Sequence, residues 1–285
     1  MIPTIHDGDI VVAADGSSHA DRAVRWAAEQ ASLENRRLVV VTVDYTDPQQ
    51  MNADGVELAR EVAPDVEVAG YAVPGEPRVV LVELSQHAHL VVMGSRGRGT
   101  IRSLLLGSVG AAVARLSFCP VVVCRGSGAE RPGRGVLVGV DGTPESLAVL
   151  KFAFEQASLR AQDLTVVHCV WDVAAAVAGL RFTRMRDVGM EDAAIGAVDD
   201  PHLMLAETIA GFGEKYPDVL VNRLVTHGLV DDVLGGQTSA WDLVVVGRHP
   251  ADTLDRLVAG SIATAVVERA HTPVAVVPSP RIGSS

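Results

Sequence analysis

The stretch Glu29-Gln30-Ala31-Ser32-Leu33 occurs a second time, unbroken and unchanged, as Glu155-Gln156-Ala157-Ser158-Leu159. The same spacing of 126 residues carries Asp15-Gly16 onto Asp141-Gly142. Further along, Gly107-Ser108 returns as Gly260-Ser261 and Pro120 as Pro273, both 153 residues on. The chain is therefore one folding unit written twice, and the second copy carries the difference between those spacings, 27 residues, as an insertion. Residues 171–200, rich in Ala, Gly and Asp, are the expected place for it. A length of 285 residues accommodates two domains of ordinary size. The expected division is 1–126 for the first unit, 127–134 for a linker made of Gly, Arg, Pro and small residues, and 135–285 for the second.

Within one copy, short apolar runs alternate with helical patterns. Ile10–Ala14, Leu38–Val43, Val66–Val73, Leu90–Met93 and Pro120–Cys124 read as strands. Helices are expected from Ser17 or Ser18 to about Leu33, near Val56–Val62, over Arg78–Ala88 and over Ala111–Leu116. Such alternation predicts an α/β fold with a doubly wound, parallel, five-stranded sheet in each half. The last strand of each copy, Pro120–Cys124 and Pro273–Val277, is apolar and would lie at a sheet edge. An exposed apolar edge must be covered, and antiparallel pairing of these two strands would make the halves a pseudo-dimer.

Between the fourth strand and the next helix runs a glycine-rich loop, from Gly94 to Gly107-Ser108. A loop that leaves a strand and feeds a helix N-terminus suits an anion, because free N–H groups and the positive end of the helix dipole converge there. The loop lacks the Gly-Lys-Ser/Thr of a P-loop and the spacing of a dinucleotide fingerprint. Its pattern is Gly-x2-Gly-x9-Gly-Ser, on Gly94, Gly97 and Gly107-Ser108. From Gly94 to Ala129 there is no Asp or Glu, while Arg96, Arg98, Arg102, Arg115 and Arg125 all occur; Arg115 and Arg125 are read as solvating helix faces.

On this spacing, and on the duplication, the chain resembles the universal stress proteins of the tandem, two-domain type. The resemblance spans nearly the whole chain and implies Rossmann-like domains that bind ATP, alone or with Mg. Carried onto the matching positions, it implies that Ala13, Asp15 and Val43 frame adenine and ribose. Met93 and Gly94 line the ribose side. Gly97, Gly107, Ser108 and Val109 hold the phosphates, with Arg96 and Arg98 closing over them. Asp15 is equally well read as an ordinary cap at a helix start. In the second half Gly139, Asp141, Gly247, Gly260, Ser261 and Ile262 are the corresponding set, but Pro250 stands where a motif glycine is expected. Proline has no N–H to donate, and Asp252 and Asp255 replace Gly99 and Arg102. A weakened or an empty second site is expected.

The remaining features exclude more than they assign. A net charge of −11 argues against general nucleic-acid binding. No apolar run reaches membrane-spanning length and the first residues carry no signal-peptide pattern, so a cytoplasmic protein is expected. Cys119, Cys124 and Cys169 read as small core hydrophobes, and His87 and His89 as solvent-facing rather than metal ligands. No Ser-Gly-Gly-x-Asp or His-x-Gly-His signature appears, and no base or nucleophile is evident at the loop. The expectation is thus a nucleotide-binding stress or dormancy regulator that is not an enzyme, slow ATP hydrolysis aside. The alternative is an interaction module with vestigial sites. Beyond the adenine nucleotide, the pseudo-dimer leaves room for a homodimer.

Overall fold

The computed structural model describes residues 4–45, 48–97, 106–125, 133–170, 201–228, 230–236, 240–248 and 254–279, with the backbone alone for 254–261. The first half contains β1 (Ile10–Ala13), α1 (Ser18–Glu34), β2 (Leu38–Val43), α2 (Pro48–Val62), β3 (Val68–Val73), α3 (Pro77–Leu84), β4 (Leu90–Gly94), α4 (Ser108–Leu116) and β5 (Val121–Cys124). The second contains β6 (Val136–Val140), α5 (Ser146–Leu159), β7 (Leu164–Val170), α6 (Pro201–Lys215), β8 (Val221–His227), α7 (Val230–Gly236), β9 (Leu243–Arg248), α8 (Leu254–Arg269) and β10 (Val274–Pro278). The expected insertion at 171–200 and most of the expected linker lie outside the described residues. Among the described residues no helix is long and apolar enough to cross a membrane.

The strands are continuous apolar runs because both sheet faces are covered. Ile10 and Val12 face α1 and α2, whereas Val11 faces α3 and α4. Ser17 caps α1: its Oγ accepts from the Ala20 N–H at 3.2 Å. Helix α2 is longer than the sequence suggests, starting at Pro48 and running straight through Gly55. Two residues account for this. A Cβ on Gly55 would stand 3.1 Å from Val40 and 3.2 Å from Ala14, so glycine lets the helix lie close on the sheet. Buried Asn52 donates from Nδ2 to the carbonyls of Val40 and Tyr71, joining helix to strands. Helix α3 stops at Leu84, earlier than expected, and a turn through Ser85–His87 leads into β4.

The two sheets form one, in the order β3-β2-β1-β4-β5-β10-β9-β6-β7-β8. All pairings are parallel except the join, where β5 and β10 run antiparallel with Val123 opposite Val274 and Val121 opposite Val276. The expected edge pairing is therefore the one the structure uses.

The repeated pentapeptide lies at this join. Gln30 of α1 and Gln156 of α5 are both buried, and Arg160 donates from Nη2 to Gln30 Oε1 at 2.6 Å while its guanidinium covers the Trp26 ring at 5.2 Å. Gln156 reaches Glu34 across the same seam at 3.4 Å. Glu34 also pairs with His89, at 2.8 Å, so His89 is a structural partner and not a solvated side chain as the sequence suggests. On the opposite face each half holds the last helix of the other by a C-terminal carbonyl. Arg125 donates to Val267 O of α8, and Arg248 donates to Arg115 O and, at 2.7 Å, to Ser117 O at the end of α4. A cation is favoured at that end of a helix dipole. Arg125 therefore joins the halves, contrary to its reading as a solvating residue.

Burial works to raise the Glu34 pKa, but hydrogen bonding and charge attraction from His89, with further bonds from Gln30 and Arg36, overcome it and lower the value from 4.5 to about 2. A depressed carboxylate stabilises the fold above its unfolded pKa and loses that contribution as pH falls towards the folded one. The shift corresponds to about 3 kcal/mol at neutral pH, lost between about pH 4.5 and 2. Urea titrations across this window should show Glu34→Gln with a much flatter acid limb than the parent. Gln30→Ala, which strips the half-buried Arg160 of its acceptor, should cost about 1.5–3 kcal/mol in the same assay at pH 7.

Candidate functional site

Strands β1 and β4 pair only from Ile10–Val12 and Leu90–Val92 and then part. On its other side β1 follows β2 through Ala13. The gap opens at the carboxyl ends of the strands where the winding reverses, which is where an open α/β sheet receives a ligand. Ala13 and Met93 stand on its two sides, Val43 ends the neighbouring strand, and Asp15 follows β1.

The motif glycines divide the work differently from the sequence reading. A Cβ on Gly94 would fall 2.7 Å from the carbonyl carbon and oxygen of His19 and 3.0 Å from Ala20 N. Gly94 is thus required by the close approach of the first turn of α1. A Cβ on Gly97 would stand 2.5 Å from Asp15 Oδ2. The missing side chain lets the carboxylate of Asp15 lie against the loop, while its Oδ1 accepts from the Ser17 N–H at 3.0 Å. Asp15 therefore supports the turn into α1 and at the same time faces the loop. Gly107 is the N-cap of α4 with φ −70° and ψ 153°, and its N–H is bound to Ser95 O at 2.9 Å. The N–H groups α4 offers at its start are those of Ser108 and Val109, without a side-chain cap. Arg98, Gly99 and Arg102 lie outside the described residues.

Cations collect beside this opening. Arg22 donates from Nη2 to His19 Nδ1 at 2.7 Å, and Ser95 Oγ lies 3.2 Å from the same nitrogen. The Nε atoms of Arg22 and Arg96 are buried without a hydrogen-bond partner. Burial, then the charges of Arg22, Arg96 and Arg125, hold His19 below the usual histidine range, which Asp15 opposes only in part. His19 and Arg22 were not singled out in the sequence. The signal was their spacing of three residues at the start of α1, which puts both on one helix face.

The second half has the same opening and a different lining. Strands β6 and β9 pair over Val136–Val138 and Leu243–Val245 and then part. The repeat spacing puts Glu145 where the first half has His19, and Ala148 where it has Arg22. Asp141 is engaged with the start of α5: its Oδ1 accepts from the Thr143 N–H and from the hydroxyls of Thr143, at 2.7 Å, and Ser146, at 2.6 Å. Gly260 and Ser261 are not at a helix start as expected. Helix α8 begins at Leu254, so both lie inside it and their N–H groups belong to helical turns. Leu254-Asp255-Arg256-Leu257-Val258-Ala259 contains no Gly or Pro to delay the helix. Gly139 lies against Leu234, Gly247 against Val149, and Ile262 in the wall of the opening. Pro250 and Asp252 lie outside the described residues. Cys119 and Cys124 are buried, as expected, but Cys169 is only half-buried and lines this opening.

Two halves of one continuous sheet, each opening at the carboxyl ends of its strands, define a tandem, doubly wound α/β protein. The universal stress protein family model matches residues 8–61, 49–125 and 134–278, and the chain belongs to that family. It is 34% identical to universal stress protein Rv2005c of Mycobacterium tuberculosis, over 94% of this chain and 96% of that one. To a universal stress protein of Mycolicibacterium smegmatis it is 31% identical, over 97% and 99%. The crystal structure of a universal stress protein from Archaeoglobus fulgidus shares the fold, with a TM-score of 0.65 over 98% of each chain at 19% identity.

The close approach at Gly94 makes a direct test of its role. Gly94→Ala should cost about 1–3 kcal/mol, because its neighbour is helix backbone that cannot rotate away. In contrast, Gly211→Ala, in α6 with open space around the added Cβ, should stabilise by about 0.5–1 kcal/mol. Both are read from urea midpoints.

Proposed function

We propose that the first half binds an adenine nucleotide, ATP, and that the chain is a nucleotide-responsive regulator of a stress or dormancy response and not a catalyst. One observation carries this reading. The opening between β1 and β4 faces the uncapped start of α4 and is flanked by His19, Arg22 and Arg96, with two guanidinium Nε atoms buried and unpaired. Buried donors without partners are costly, and a polyphosphate would satisfy them. Asp15 and the ends of β1 and β2 supply the polar and apolar surface for ribose and base. Mg, if it accompanies ATP, would be held by the phosphates.

The test is calorimetric titration of the full chain with ATP, ADP and AMP. Affinity should fall with each phosphate removed, and ATP should fill one dominant site per chain. Gly107→Glu should abolish that site while leaving the fold intact. The φ of −70° at Gly107 suits any residue, and a carboxylate there would repel the phosphates. Arg96→Ala should weaken ATP by about tenfold or more, the value of a charged hydrogen bond. A folded Gly107→Glu chain that binds ATP as tightly as the parent would refute the assignment of the loop.

A further inference from the structure

His19 stands where helix α1, the end of β4 and the loop that follows it meet. Its carbonyl lies against Gly94, so the first turn of α1 is seated on the strand end. Ser95, buried beside it, turns its hydroxyl to His19 Nδ1 at 3.2 Å and its carbonyl to the N–H of Gly107, the N-cap of α4, at 2.9 Å. One residue thus links the imidazole to the uncapped start of α4.

The bond from Arg22 fixes the charge of this imidazole in the free chain. A guanidinium only donates, so Nδ1, 2.7 Å from Arg22 Nη2, must accept, and the ring is neutral with its proton on Nε2. Protonating Nδ1 would set two donors face to face and add a charge among cations. Arg22 comes from α1, Arg96 from the loop after β4 and Arg125 from the end of β5; Asp15, ahead of α1, is the carboxylate that opposes them. Burial pushes the nearby Cys124 thiol up, so it carries no charge. A polyphosphate would change this balance. Its oxygens accept, and the Nε atoms of Arg22 and Arg96 are buried without a partner. With phosphate in the opening, Arg22 can turn from the imidazole to the anion, and the released Nδ1 can take a proton and donate in its turn.

We propose that His19 is a phosphate-binding residue that acts as the imidazolium: the first site takes up a proton from solution together with its anion, so acidification tightens binding. This rests on the first opening receiving phosphates, and it gives that site a second input, pH. The sign follows from linkage. A histidine whose pKa is raised by the ligand adds affinity below its value in the free chain, and the gain is lost as pH rises through its value in the complex. The second half has Glu145 at the matching position, so uptake through an imidazole there belongs to the first half alone.

Two measurements on the full chain test this. The ring signals of the nine histidines are followed by NMR as pH is varied, His19 being assigned by the signal missing from His19→Gln. In the free chain His19 should titrate below the ordinary histidine range; with saturating ATP, or saturating inorganic tripolyphosphate, it should titrate higher. In calorimetry, the ratio of ATP affinity at about pH 5.5 to that at about pH 7.5 should be about tenfold larger for the parent than for His19→Gln, one unit of pKa shift being one factor of ten. Glutamine keeps a neutral acceptor for Arg22, and the titration of the terminal phosphate is common to both proteins. Both pH values lie above the range in which Glu34 is protonated. ATP that binds without moving the His19 titration, or an equal pH dependence in parent and variant, would overturn the proposal and leave the nucleotide reading intact. Tripolyphosphate that raises His19 while ATP fails to bind would overturn the nucleotide reading and support proton uptake. Binding of neither anion would overturn both.

Discussion

The structure depends on the antiparallel pairing of β5 with β10. Each half alone would end in a strand with a full row of unpaired N–H and C=O groups on apolar residues, Val121–Cys124 or Val274–Val277. Such an edge recruits other chains. Pairing the two edges satisfies both at once and leaves β3 and β8 as the outer strands of the sheet. Strand β8 blunts its edge with Asn222, Arg223 and other exposed side chains. The helices then follow. With the sheets joined, α1 and α5 meet, and their facing surfaces must complement each other. A near-symmetric contact asks the same of both partners, which explains why the two halves share one pentapeptide at that place.

Duplication preserves what folding needs and releases what binding needs. The parting of β1 from β4 recurs between β6 and β9, because strand register and winding are common to both halves. The lining of the opening does not recur. Where one half gathers His19, Arg22 and Arg96 about a helix start, the other presents carboxylates, a spent arginine and apolar walls. Helix α8, which begins six residues before Gly260, leaves Gly260 and Ser261 without the helix-start N–H groups that Ser108 and Val109 have in the first half.

Much of the fold was legible in the sequence because the strands are short apolar runs with clear breaks. The antiparallel join followed from the apolar character of both last strands. Helix α2 was expected only near Val56–Val62; Pro48 and Gly55, which stand in the stretch before it, both disfavour a helix interior. Pro48 is tolerated at a helix start, and Gly55 is placed by a close approach that only three dimensions reveal. The candidate site was legible as a loop but not in its division of labour. Spacing marks Gly94 and Gly97 alike. Nothing local shows that one yields to the backbone of α1 and the other to the side chain of Asp15. His89 and Arg125 were misread for the same reason: their partners, Glu34 and Val267, are 55 and 142 residues away.

Helix α4 has both of its ends in use. Its first N–H groups, those of Ser108 and Val109, look into the opening of the first half. Its last carbonyls are gripped by Arg248, a residue in the wall of the second cleft. At 1.5 Å per residue, nine residues span only about 13 Å. A single short dipole thus lies between two cavities that belong to different copies of the repeat, with its positive pole at one and its negative pole at the other. Charge brought to either pole is felt along the same axis, so the two openings, though they face opposite ends of the sheet, share one electrical element.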